Sequence, residues 1–191
     1  MWRILAAGVK MTETGTLLDV DGFRAALFSS WLDLSHRATR RWWRIPLLEA
    51  RSFEHGPNGS LVVIGTKGHT ELPNVASTFV DGLASRLALL LPGAPATAVT
   101  FEELAAHSTR YHLLVVRARG HHEAAFEGSR FGGAWLTIPR ELDVARASGA
   151  VEVEGLFLSD PALHAAWRGS RGYGHMGMSP AELIAYRYTK L

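Results

Sequence analysis

Between Asp21 and Trp43 the apolar residues Phe23, Leu27, Trp31, Leu34 and Ala38 fall three and four positions apart. That spacing predicts an amphipathic helix, capped by Asp21, with Arg37, Arg40, Arg41 and Arg44 near the negative end of its dipole and Pro46 stopping it. A second stripe, Val80, Leu83, Leu87 and Leu90 or Leu91, predicts a helix that starts from Asn74 and ends before Pro92 and Gly93. Thr100 followed by Glu103 fits a capping box, so a short helix is expected over 101–107 after a strand over 97–99.

Elsewhere the pattern reads as strand. The segments 47–54 and 60–66 flank the turn-forming residues Gly56, Pro57, Asn58 and Gly59, which predicts a β-hairpin. Strands are also expected over 111–118, 134–138, 151–158 and, from the alternation ending in two tyrosines, 183–189. Residues 139–148 and 160–167 read as helices with proline in the first turn, and 120–133 as a long surface loop. Helices thus interleave with strands, and the one clear adjacent strand pair is a hairpin. The expected fold is α+β, a mixed, mainly antiparallel sheet with helices packed on one face, in a single domain over 1–191.

Composition narrows the function classes. With 191 residues, 47% of them hydrophobic, the chain is long enough to bury a core without staples, and it has no cysteine for disulfides, thiolate metal sites or a thiol nucleophile. No apolar run approaches the roughly 20 residues of a membrane span. The start lacks the long apolar region and cleavage site of a secretory signal, so a cytoplasmic location is the expectation, with Met1 and Met11 both plausible starts. Net charge is only +2, but the basic residues are 17 Arg and 3 Lys. Guanidinium suits planar recognition of carboxylate and phosphate, although a GC-rich genome gives the same bias.

Candidate chemistry follows from local groupings. Lys67 and His69 lie in the polar run 65–71 between an expected strand and an expected helix, where backbone N–H groups can hold an anion, with His69 able to move protons. The spacing is not that of a P-loop. Arg117 and Arg119 end an expected strand, and His121, His122 and Glu123 follow, a cationic and titratable edge. His121 and His122 should point to opposite sides of that strand. Arg171, Tyr173 and His175 sit in a glycine-rich run that could wrap a phosphate, though the strand a dinucleotide loop requires in front of it is not expected there.

Glu152 and Glu154 should share one face of their strand, a spacing also seen in ADP-ribosyl-transferring enzymes, whose Ser-Thr-Ser element is missing here. His107 and Thr109 match only half of the doubled His-x-Thr signature of small phosphoesterases. Arg40, Arg41, Trp42, Trp43 and Arg44 interleave guanidinium and indole groups, suited to a protein partner or to stacking on single-stranded bases.

With no complete catalytic motif, the leading expectation is a non-catalytic recognition protein, an adaptor or immunity-type protein, that binds a protein partner and needs no cofactor or metal. Behind it stand a small enzyme or sensor for an anionic, nucleotide-like ligand, using His69, His121 or His122 with Lys67, Arg117 and Arg119, and single-stranded nucleic-acid binding.

Overall fold

The computed structural model describes residues 15–28, 31–125, 128–139, 142, 148–160, 172–174 and 179–191. The chain divides into two compact units, Met1–Leu91 and Pro92–Leu191.

In the first unit β1 (Gly15–Val20), β2 (Phe23–Phe28), β3 (Trp31–His36) and β4 (Arg41–Pro46) form an antiparallel sheet in chain order, and β5 (Ala50–Gly56), β6 (Ser60–Gly65) and β7 (Gly68–Leu72) form another. The single α-helix described here, α1 (Ser77–Leu87), follows. The helix expected over 21–43 is therefore overturned, and the physical reason lies in the turns. Asp21 and Gly22 both take positive φ, 52° and 78°, and close a β1–β2 hairpin, the conformation for which Asp-Gly is favoured. Asp21 is a turn residue rather than a helix cap. Once the chain reverses there, Phe23, Ala25 and Leu27 alternate onto one face and meet Leu34 and Leu32 of β3 in register. The expected hairpin of 47–54 with 60–66 is present as β5 and β6, with Asn58 and Gly59 at positive φ. The helical stripe Val80, Leu83 and Leu87 is buried as expected, but the helix starts after Ala76, since Asn74 stands at a positive φ of 59°. The α1 ring of Phe79 lies 5.3 Å from Phe23.

The second unit has β8 (Thr97–Thr100), α2 (Phe101–Ala106), a 3₁₀ turn (Ser108–Tyr111), β9 (Leu114–Ala125), β10 (Gly128–Phe131), β11 (Ala134–Thr137), β12 (Gly149–Leu158) and β13 (Glu182–Lys190). The capping box is formed, Thr100 Oγ1 accepting from Glu103 N and Glu103 Oε2 from Thr100 N. Strands β9, β10 and β11 follow as hairpins, and β12 returns to lie beside β9, a Greek key. β13 then pairs antiparallel with β12 and parallel with β11. The circuit β9–β10–β11–β13–β12 closes on itself as a five-stranded Greek-key barrel, the architecture the OB-fold uses. Val116, Ala118, Phe131, Leu136, Val153, Phe157 and Leu183 fill it, joined by Leu104 of α2.

The α+β layering is thus overturned. Among the described residues the chain is mostly strand, with antiparallel sheets and a barrel and only two α-helices, so no helix layer covers a sheet face. The loop expected over 120–133 is strand on both sides of 126–127, because β9 runs 12 residues and borrows its second half from that segment. The strand expected over 111–118 starts later, at Leu114, behind the 3₁₀ turn. The helix expected at 160–167 lies outside the described residues apart from its first residue, Asp160, as does the one expected at 139–148 apart from its ends and position 142.

Candidate functional site

The strongest grouping in the first unit is on β3 and β4. Asp33 and Arg44 are cross-strand partners, and Arg44 donates from Nε to Oδ1 and from Nη2 to Oδ2, both at 2.6 Å. The pair is nearly closed to water, the side chains being 8% and 14% exposed. The Arg44 guanidinium also lies over the Trp42 ring, 4.6 Å from its centre. Strand alternation places Trp31, Asp33 and Ser35 on the same face as Pro46, Arg44 and Trp42. Trp31 is 38% exposed there. Arg41 and Trp43 point to the opposite face, opposite His36 and Leu34, so the five-residue Arg/Trp patch expected from the sequence is divided by the pleat. Arg40 is exposed in the β3–β4 turn at a positive φ of 54°.

Lys67 and His69 are differently placed from expectation. No helix N-terminus stands behind them, because 68–72 is β7 and Thr66–Lys67 is a tight turn within a hairpin. Lys67 Nζ donates to Glu49 Oε1 at 2.9 Å, and His69 is exposed opposite Ile64.

In the second unit Arg117 and Arg119 lie on the outer face of β9. Cross-strand register sets Arg119 beside Glu152 and Arg117 beside Glu154, and sets Glu154 in turn beside Arg187 of β13. Arg117 donates from Nε and Nη2 to Glu154 Oε2 at 2.9 and 2.6 Å, and Arg119 Nε donates to Glu152 Oε2 at 2.7 Å. Arg187 Nε stands 3.8 Å from Glu154 Oε1, beyond hydrogen-bond length. The side chain of Glu154 is 9% exposed, those of Arg117 and Arg187 50% and 74%. Arg117, Glu152, Glu154, Arg187 and Thr189 line a half-open depression of about 300 Å³.

Arg187 was not singled out from the sequence, and its position depends on a bulge. The pairing of β13 with β12 shifts by one between Glu154 and Gly155, leaving Tyr186 as the extra residue. Inward alternation through Leu183 and Ala185 would otherwise carry Arg187 inward and Tyr188 out. The extra residue reverses both.

The two adjacent histidines separate as expected. His121 is exposed, whereas His122 is fully buried with Nδ1 2.7 Å from the Tyr188 hydroxyl. Burial, and then the positive charges of His121 and Lys190, hold the His122 pKa below its ordinary value. A second buried polar group, missed in the sequence, surrounds His112: its Nδ1 accepts from Ser159 N at 3.1 Å, and Ser159 Oγ is 3.1 Å from Ser108 Oγ. Burial lowers the His112 pKa, partly opposed by Asp160. Tyr173 is a core residue rather than a surface aromatic; its hydroxyl accepts from Asp160 N, and burial pushes its pKa up. Arg171 and His175 lie outside the described residues.

Among the described residues no group of three or more His, Asp or Glu could hold a metal, and no helix is long and apolar enough to cross a membrane. Comparison with known families, with curated proteins and with solved structures finds no match to this chain.

Proposed function

We propose that this is a non-catalytic recognition protein whose β3–β4 face docks a protein partner. The observation that carries the reading is the stack of Trp42, Arg44 and Asp33 beside the exposed Trp31. Tryptophan and arginine dominate the energetics of protein interfaces when they are held rigid, because little side-chain freedom is then lost on docking. Here the bidentate pair fixes Arg44, and Arg44 in turn supports the Trp42 ring. Arg24 lies on the same sheet face, opposite Ser35, and Arg40 is exposed in the β3–β4 turn at its border. The complementary partner therefore presents an apolar centre with acidic groups around it.

The test begins with capture of a partner by the immobilised full chain from its native lysate, followed by purification of that partner and titration. Trp42→Ala and Trp31→Ala should each weaken binding by about tenfold or more, while Arg187→Gln on the barrel leaves it unchanged. If no protein is retained, or both tryptophan variants bind like the parent, the reading fails. A single-stranded oligonucleotide that binds with steep salt dependence and is lost in Trp42→Ala replaces it with nucleic-acid binding.

A further inference from the structure

We infer that the depression on the outer face of the barrel is a binding site for a small molecule bearing an oxyanion, a phosphate or carboxylate, held between Arg187 and Arg117 with the Thr189 hydroxyl beside them. This inference is independent of the partner-docking face in the first unit.

The depression itself is lined by two arginines, Arg117 and Arg187, and two carboxylates, Glu152 and Glu154, and Arg119 next to it on β9 bonds Glu152. Glu154 is committed to Arg117 through two hydrogen bonds to one oxygen, and Glu152 to Arg119. Arg187 approaches only the other Glu154 oxygen, and at 3.8 Å. Two guanidinium groups thus converge on one carboxylate that closes a hydrogen bond with only one of them. An anion entering the depression meets both, relieves their mutual repulsion, and finds the planar fork of N–H donors that suits phosphate and carboxylate.

The backbone is arranged for this placement. Gly155 faces the bulge so closely that a Cβ at its position would stand 2.1 Å from the Ile184 carbonyl oxygen and 3.0 Å from the Ala185 Cα. Only glycine permits the strands to meet there. The bulge in turn rotates Arg187 outward beside Glu154 and turns Tyr188 inward to His122. Bulges re-aim side chains in this way next to binding sites. A plain surface ion-pair ladder needs no such irregularity, since ordinary alternation already pairs Arg117 with Glu154 and Arg119 with Glu152. A cation is a poorer fit, because both carboxylates are already neutralised.

Titration of the full chain with inorganic phosphate, adenosine monophosphate and succinate, each at constant ionic strength against a chloride control, tests the site by calorimetry. At least one of the three should bind saturably in a 1:1 ratio with a dissociation constant of about 1 mM or tighter. A preference for the nucleotide or for free phosphate separates a phosphorylated metabolite from the bare ion, and a preference for succinate assigns a carboxylate. Arg187→Gln should weaken binding by about tenfold or more, and Arg187→Lys less, since lysine keeps the charge but not the fork. Arg187 is mostly exposed, so both variants should keep the parental thermal unfolding, which makes their binding directly comparable. The inference is overturned if none of the three probes saturates by about 20 mM, or if Arg187→Gln binds as tightly as the parent.

Discussion

Asp33 and Glu154 occupy matching situations in the two units. Each is a carboxylate with its side chain nine-tenths buried or more, in an antiparallel sheet, opposite an arginine on the neighbouring strand. Asp33 has one guanidinium, engaged through both of its oxygens, 14% exposed and covered by the Trp42 ring. Glu154 has two, one bonded and one standing off, both at least half exposed. The first pair is complete in itself, while the second leaves charge and donors facing a depression. Burial of the acid is the same in both, so it is the exposure and commitment of the arginines that separates a scaffold from a receptive site.

The largest effect expected from this contrast is on stability in the first unit. Arg44→Ala leaves Asp33 buried without its partner, and should destabilise by about 3–5 kcal/mol in urea unfolding of the full chain. Joint replacement of Asp33 by Leu and Arg44 by Met should recover most of that loss, because a buried pair and a well-packed apolar pair are often close in free energy. Arg117→Ala should cost clearly less than Arg44→Ala, since Arg117 is half exposed and Arg187 still faces Glu154. Equal losses at Arg44 and Arg117 would break the comparison.

A smaller effect is expected at the bulge. Gly155→Ala forces β12 away from the Ile184 carbonyl and should destabilise the barrel by about 1–3 kcal/mol. The same substitution should abolish the effect of Arg187→Gln on anion binding, because once the strands part Arg187 no longer reaches the depression. A thermodynamic cycle over the two positions reads this coupling separately from the stability loss.

The parts of this molecule that could be read from the sequence are those set by neighbours in the chain. The capping box at Thr100 and Glu103, the α1 stripe and the Pro57-Asn58-Gly59 hairpin all act within a few residues and were all recognisable. So was the shared face of Glu152 and Glu154, which needs only strand alternation. The first sheet was not, because Phe23, Leu27, Trp31 and Leu34 satisfy helical spacing as well as they satisfy two strands, and the reversal at Asp21-Gly22 decides between them. That dipeptide was the available signal. Asp33 and Arg44 are 11 residues apart and Arg117 and Glu154 are 37 apart, so both pairings wait on strand register. Arg187 was hidden more deeply, since plain alternation along β13 sends it into the barrel and only the extra residue Tyr186 brings it out.

The smallest expected effect sets the units apart by pH. His122 is buried against Tyr188 near His121 and Lys190, and its folded pKa lies below the ordinary value near 6.5 that it has when unfolded. As pH falls through about 6.5 the unfolded chain takes up a proton that the folded barrel refuses, so stability should decline with acidification and level off only below the folded pKa. His112, lowered mainly by burial, contributes in the same direction. His122→Asn keeps a polar group near the Tyr188 hydroxyl without a titrating ring, and should flatten the fall in melting temperature between pH 7 and pH 5. The His112→Asn variant should flatten it further, in an additive way if the two rings act independently. A decline that is unchanged in both variants would place the acid sensitivity outside these two histidines and overturn their assignment as its source.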